Sequence, residues 1–113
     1  MISLQVHLTL PAWVPELVDE GRLYTNPVAQ VGLAIELSRL NIERGSGGPF
    51  GACVFTEEGR LISVGVNRVV PMNCSVAHAE MMAYMSAQQR PVSYTHLRAH
   101  ETKANLVCRL LLE

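Results

Sequence analysis

His78-Ala79-Glu80 sets an imidazole and a carboxylate two residues apart at the head of a stretch rich in Ala, Met, Glu and Gln. An imidazole is a neutral metal ligand, or a base that titrates near pH 7, and a carboxylate within reach of it carries protons. On one helical turn, Glu80 stands beside whatever His78 holds without being a ligand itself. The helix start adds a partial positive charge and backbone N–H groups with no intrahelical acceptor, so the Ala79 N–H is placed to hold a carbonyl oxygen. Cys53, Cys74 and Cys108 are an odd number with no repeating spacing, which argues against a secreted disulfide framework and for a reducing compartment such as the cytoplasm.

The elements that must position this pair follow from periodicity and punctuation. Residues 1–26, with Pro11 and Pro15, read as an irregular N-terminal arm. From Pro27 the rows Val28, Val31, Ile35 and Leu33, Leu37, Leu40 predict a helix capped by Asn26, with Pro27 at its first position and its end near Arg44-Gly45. Ser46-Gly47-Gly48-Pro49 forces a loop. Phe50 to Phe55 and Leu61 to Val66 then read as a hairpin turning at Glu57 to Arg60. Val69 to Ser75 is a loop, and Ala77 to Gln89 is a second helix for which Ser75 is available as a cap. This order implies an α/β layer fold whose sheet has only begun, because a lone two-stranded hairpin is marginal.

The bulk numbers bound the partners. A chain of 113 residues accommodates one domain. Nine Lys and Arg against ten Asp and Glu give a net charge of -1, which offers no pull toward phosphates or anionic lipid and favours a small neutral partner over nucleic acid. The first residues lack the basic start and unbroken apolar core of a signal peptide, and no apolar run is long enough to span a bilayer.

Residues 91–113 read differently. His96 and His100 are spaced for a metal-binding helix, but Val92 to Glu101 resembles, residue by residue, the translation of a common sequencing-library adapter. Asn105 and Leu106 to Leu112 fit its continuation in the same frame. The expectation is an adapter-derived tail, excluded from fold reasoning, with the genuine protein ending near Arg90 or Pro91.

His78-Ala79-Glu80 also matches the H-x-E half of the zinc deaminase signature, whose second half is P-C-x-x-C. With Gly47-Gly48-Pro49-Phe50-Gly51-Ala52 opening the first strand and Gly65-Val66-Asn67 ending the second, residues 28 to 90 resemble the cytidine-deaminase-like superfamily. They are most similar to bacterial guanine deaminases and nucleoside deaminases. The resemblance implies a three-layer α/β/α sandwich of which residues 27–90 supply the helix-strand-strand-helix part. It implies Zn²⁺ held by His78 and two downstream thiolates, Glu80 as proton shuttle, and Asn67, Ala79 and Phe50 as contacts to the base. It further implies a homodimeric, cytoplasmic enzyme of purine metabolism acting on a nucleobase or nucleoside, guanine first, with cytosine, cytidine or tRNA adenosine as alternatives. Asn67 also suits a turn at a strand end, and Phe50 also suits a core. Cys74 precedes the helix and reads as a loop or small buried thiol, Cys53 as core, and Cys108 has no partner at the two-residue gap. The two thiolate ligands are therefore absent, which leaves a second reading of the chain: an inactive or partner-dependent fragment.

Overall fold

The structure, a computed structural model, describes residues 1–90 and the backbone of residues 104–110. In chain order it contains α1 (Val14–Leu17), α2 (Pro27–Glu43), β1 (Phe50–Thr56), β2 (Leu61–Val66), α3 (Ala79–Gln89) and β3 (Ala104–Leu110).

α2 begins as its sequence dictates. Asn26 is extended, its Oδ1 accepts the Ala29 N–H at 2.9 Å, and Pro27 loses nothing at a position whose N–H has no helical acceptor. The helix buries Leu33, Ala34, Leu37, Ser38 and Asn41, whereas Val28 and Ile35 are exposed. Of the two rows expected to be apolar, only the one through Leu33 and Leu37 faces the sheet.

β1 and β2 pair antiparallel from Gly51↔Val66 to Phe55↔Leu61, with an irregularity at Val54/Phe55. The turn between them uses Gly59 at φ +93°, a conformation that glycine adopts without a Cβ clash. Alternation along the strands divides the core. Cys53, Phe55, Leu61, Val64 and Val66 pack with Leu33, Ala34 and Leu37 of α2, while Ala52, Val54 and Ile62 pack with Ala79, Ala83 and Ala87 of α3. The sheet is thus the middle layer between α2 and α3, the three-layer α/β/α arrangement expected.

Two glycines set how close the layers lie. A Cβ on Gly51 would fall 2.4 Å from the Ala34 carbonyl oxygen, and one on Gly65 would fall 2.1 Å from the Ala79 oxygen and 2.5 Å from the Ala83 nitrogen. Each helix backbone therefore rests directly on a strand backbone.

Two expectations are corrected. Residues 1–26 are not wholly irregular, because Pro15 sits in the first turn of α1, where its missing N–H breaks no helical bond. Trp13, Val14 and Tyr24 belong to the core on the α2 side, and Tyr24 tilts against Phe55 with ring centroids 5.4 Å apart. α3 starts at Ala79 rather than Ala77 and is capped by the backbone of His78, not by Ser75. The Ala77 carbonyl is instead held by the Arg68 N–H at 2.9 Å, which keeps residue 77 outside the helix. The sheet has three strands, in the order β2-β1-β3, with a strand after α3 as a sheet that has only begun at the hairpin requires. The backbone of β3, within the stretch read as adapter-like, lies antiparallel to β1 from Phe50↔Leu110 to Thr56↔Ala104. A two-stranded hairpin leaves β1 with one row of unpaired N–H and C=O groups, a template for a further strand.

The close approach at Gly65 yields a paired test. Gly65→Ala should destabilise the chain by about 2 kcal/mol or more, since the neighbours it meets are backbone. Gly32→Ala, on α2 with nothing within 4 Å of the new methyl, should be neutral or stabilise by up to about 1 kcal/mol through helix propensity. Urea unfolding midpoints of the two variants check both.

Candidate active site

The site lies at the end of the sheet where β1 begins, β2 finishes and α3 starts. Antiparallel register alone puts Phe50 beside Asn67, and the Asn67 N–H donates to the Phe50 carbonyl at 3.3 Å. The Arg68–Ala77 bond then draws the head of α3 to the same place. The Ala79 carbonyl rests on Gly65, two residues before Asn67.

The loop from Gly45 to Pro49 is fixed from beneath by Asn41. This fully buried side chain donates through Nδ2 to the Gly48 carbonyl at 2.8 Å and to the Asn67 carbonyl at 2.9 Å, while its Oδ1 has no hydrogen-bond partner among the described residues. A buried amide that crosses from α2 to both the loop and the strand end acts as a tie whose loss strands two carbonyls. Gly47 has no room for a side chain, since a Cβ there would sit 1.8 Å from the Asn67 oxygen and 2.7 Å from Asn41 Nδ2.

Asn67 is buried, and its side chain is partly committed. Its Oδ1 accepts the Gly48 N–H at 3.4 Å and the Val69 N–H at 3.3 Å. The side-chain acceptor is thus occupied by the loop backbone, and the Nδ2 donor is what the residue has to offer a ligand. Phe50 is 39% exposed, so it is a rim residue rather than core. A Cβ on Gly48 would stand 3.4 Å from both Asn67 Cγ and Phe50 Cδ2, which places these three residues side by side.

His78 is the N-cap of α3, with an exposed side chain that caps nothing, and Glu80 is an exposed acid in the first turn, where the helix dipole favours negative charge. Ala79 is buried between them. The structure thus brings Phe50, Asn67, His78, Ala79 and Glu80 to one end of the fold. Cys53 is buried in β1, and Cys74 is a half-buried thiol in the loop before α3. The side chains of His96, His100 and Cys108 lie outside the described residues.

Among the described residues no group of three or more His, Cys, Asp and Glu side chains could hold a metal ion. A catalytic zinc needs three protein ligands and an open position. His78 is one candidate ligand, so these residues alone do not fit the ion.

Asn41 escaped the sequence reading. Its one signal is that a polar residue continues the row Leu33, Leu37, Asn41 at four-residue spacing, where an apolar residue is expected.

Comparison with known proteins gives one consistent picture. A family model described as the cytidine and deoxycytidylate deaminase zinc-binding region matches residues 28–108. No curated protein matches the chain. Among solved structures, a guanine deaminase from Nitrosomonas europaea is 36% identical over 96% of this chain and 59% of its own, with a TM-score of 0.77. A guanine deaminase from Bacillus subtilis is 30% identical over 74% of this chain and 49% of its own, with a TM-score of 0.61. A structure from work on tRNA:A34 deaminases is 26% identical over 72% of this chain and 57% of its own, with a TM-score of 0.54. The similar protein NE0047 has been crystallised with 8-azaguanine and with 2,6-diaminopurine. The chain therefore spans between one half and three fifths of the length of these proteins. No described helix is long and apolar enough to cross a membrane.

Replacing Asn41 by Ala should cost about 2 kcal/mol or more, because the Gly48 and Asn67 carbonyls lose their shared donor. An unchanged thermal midpoint would show that the tie is dispensable.

Proposed function

We propose a function from one premise: the chain belongs to the cytidine and deoxycytidylate deaminase family and carries part of its zinc-binding region. The protein of which it is the front part is a zinc-dependent hydrolytic deaminase of a nucleobase, guanine first, converting guanine and water to xanthine and ammonia. Residues 27–90 are the deaminase portion, and residues 91–113 are an adapter-derived tail standing where the remaining zinc ligands belong. The observation that carries the reading is the convergence of Phe50, Asn67 and the head of α3 at one end of the sheet. The similarity to guanine deaminases, and the purine-like ligands crystallised with NE0047, support the choice of base.

Each residue then has a task. His78, exposed at the helix cap, would be one ligand of the zinc, which when bound would make water nucleophilic near neutral pH. Glu80, in the first turn of α3, is the acid–base group that would carry a proton from the attacking water to the ring nitrogen and to the leaving amine. Asn67 donates through Nδ2 to the base edge, the Ala79 N–H at the helix start holds the base carbonyl, and the Phe50 ring covers the base from the rim. With its two thiolates missing, the 113-residue chain binds no stoichiometric zinc and does not turn over. The complete protein is a cytoplasmic homodimer. A tRNA substrate is disfavoured by the net charge of -1, since phosphate contacts require a basic face.

The test compares the complete protein with this chain. The complete protein should release ammonia from guanine, and Glu80→Gln should abolish turnover while zinc content stays at one per subunit, because the amide keeps the shape but shuttles no proton. Loss of zinc together with turnover would contradict the role given to Glu80. If a chain ending at Arg90 held one zinc through His78 and deaminated guanine, the missing cysteines would be unnecessary and the site assignment wrong.

A further inference from the structure

Arg68 follows the candidate base-reading Asn67, and the residue is buried, at 8% exposure. Among the described residues it makes no ion pair. Its side chain spends its donors on two backbone carbonyls from distant segments: Nε donates to Thr9 at 2.9 Å, and Nη1 donates to Ser46 at 2.6 Å. Its own backbone adds two more ties, the N–H to the Ala77 carbonyl at 2.9 Å and the carbonyl to the Met72 N–H at 3.0 Å. Trp13 Nε1 reaches Ser46 Oγ at 2.8 Å, a second link from the arm to the same loop residue.

A buried cation without a carboxylate is expensive unless its donors are satisfied, and an apolar side chain would fill the same space at less cost. The planar fork of arginine offers what such a residue would lack, donors in fixed directions that hold two segments at one spacing. We infer that Arg68 is a positioning residue that clamps the N-terminal arm to the glycine loop framing Asn67, so that residues 1–26 are part of the base-site scaffold. Thr9 of the arm, Ser46 of the loop and Ala77, the residue preceding His78, all meet at this one side chain and its backbone. Loosening the clamp frees the loop, and with it the Gly48 N–H that holds Asn67 Oδ1 and thereby sets where Nδ2 points. The role of Asn67 toward a base rests on the function proposed above, whereas the clamp itself does not.

The experiment is amide hydrogen exchange on the ¹⁵N-labelled full chain, comparing the parent sequence with Arg68→Met, Arg68→Lys and Val14→Ala. In Arg68→Met the Gly48 and Val69 amides should lose about tenfold or more of their protection, as expected when bonds from a charged donor are removed. The Leu10 resonance should shift as well, while amides within α3 keep their protection. Arg68→Lys, which retains the charge and part of the donor set, should restore protection partly. Val14→Ala, a core truncation that removes none of these hydrogen bonds, should lower global stability without this selective loss. Unchanged Gly48 and Val69 exchange in Arg68→Met, or a uniform loss over all amides like that of Val14→Ala, would overturn the inference. Titrating the parent chain with 8-azaguanine separates the two claims. A silent Asn67 side-chain amide would count against the base-reading role, while exchange alone decides the clamp.

Discussion

At Gly65 the backbone of α3 lies directly on the backbone of β2, with no side chain between them. That contact fixes the height and direction of the helix, and so the position of its first residues relative to the end of the strand. His78, Ala79 and Glu80 gain their place from it, because the chain must leave β2 at Asn67, loop through Cys74 and return to the strand end before the helix can start. The matching contact of α2 at Gly51 does the same on the other face, and Asn41 transmits that placement to the glycine loop. With so little freedom in the layers, the Asn67 side chain and the 78–80 triplet need no contact with one another to be held in register.

Much of this was legible in the sequence. Short apolar runs, the Asn-Pro start of α2 and the glycine in the hairpin turn are local signals with local causes, and β2 begins and ends where they place it. The triplet at 78–80 was legible as chemistry because its spacing is short. What the sequence did not reveal is long-range. The start of α3 moved by two residues because Arg68, nine residues upstream of Ala77, takes the Ala77 carbonyl out of the helix. The arm hid its core residues because Trp13 and Tyr24 carry no periodicity of their own and are buried only by what α2 and β1 present to them. Asn67 showed its amide but not that half of it is spent on the loop. Asn41 and Arg68 are polar residues in buried places, and in each case the justification lies in carbonyls contributed by other segments.

The same physics explains why a partial chain is recognisable. The family's layers are assembled from neighbouring pieces of sequence, so helix, hairpin and helix bring Asn67 and the 78–80 triplet together before any later strand exists. Metal binding is different, since the donors of a tetrahedral site are pooled from separated segments and a single imidazole has little hold on zinc. The described residues therefore bring Phe50, Asn67 and the 78–80 triplet to one end of the fold without a group of His, Cys, Asp and Glu side chains that could hold a metal ion.

Whether the two absent thiolates belong to this protein is decided by the codons beyond residue 90, and reading the gene from its source through that point is the most direct test. For a deaminase interrupted by adapter sequence, the codons after Gln89-Arg90 continue into a strand and then Pro-Cys-x-x-Cys, supplying the two thiolates that complete the site with His78. Codons that instead encode Val92 to Glu113 as they stand here would contradict it.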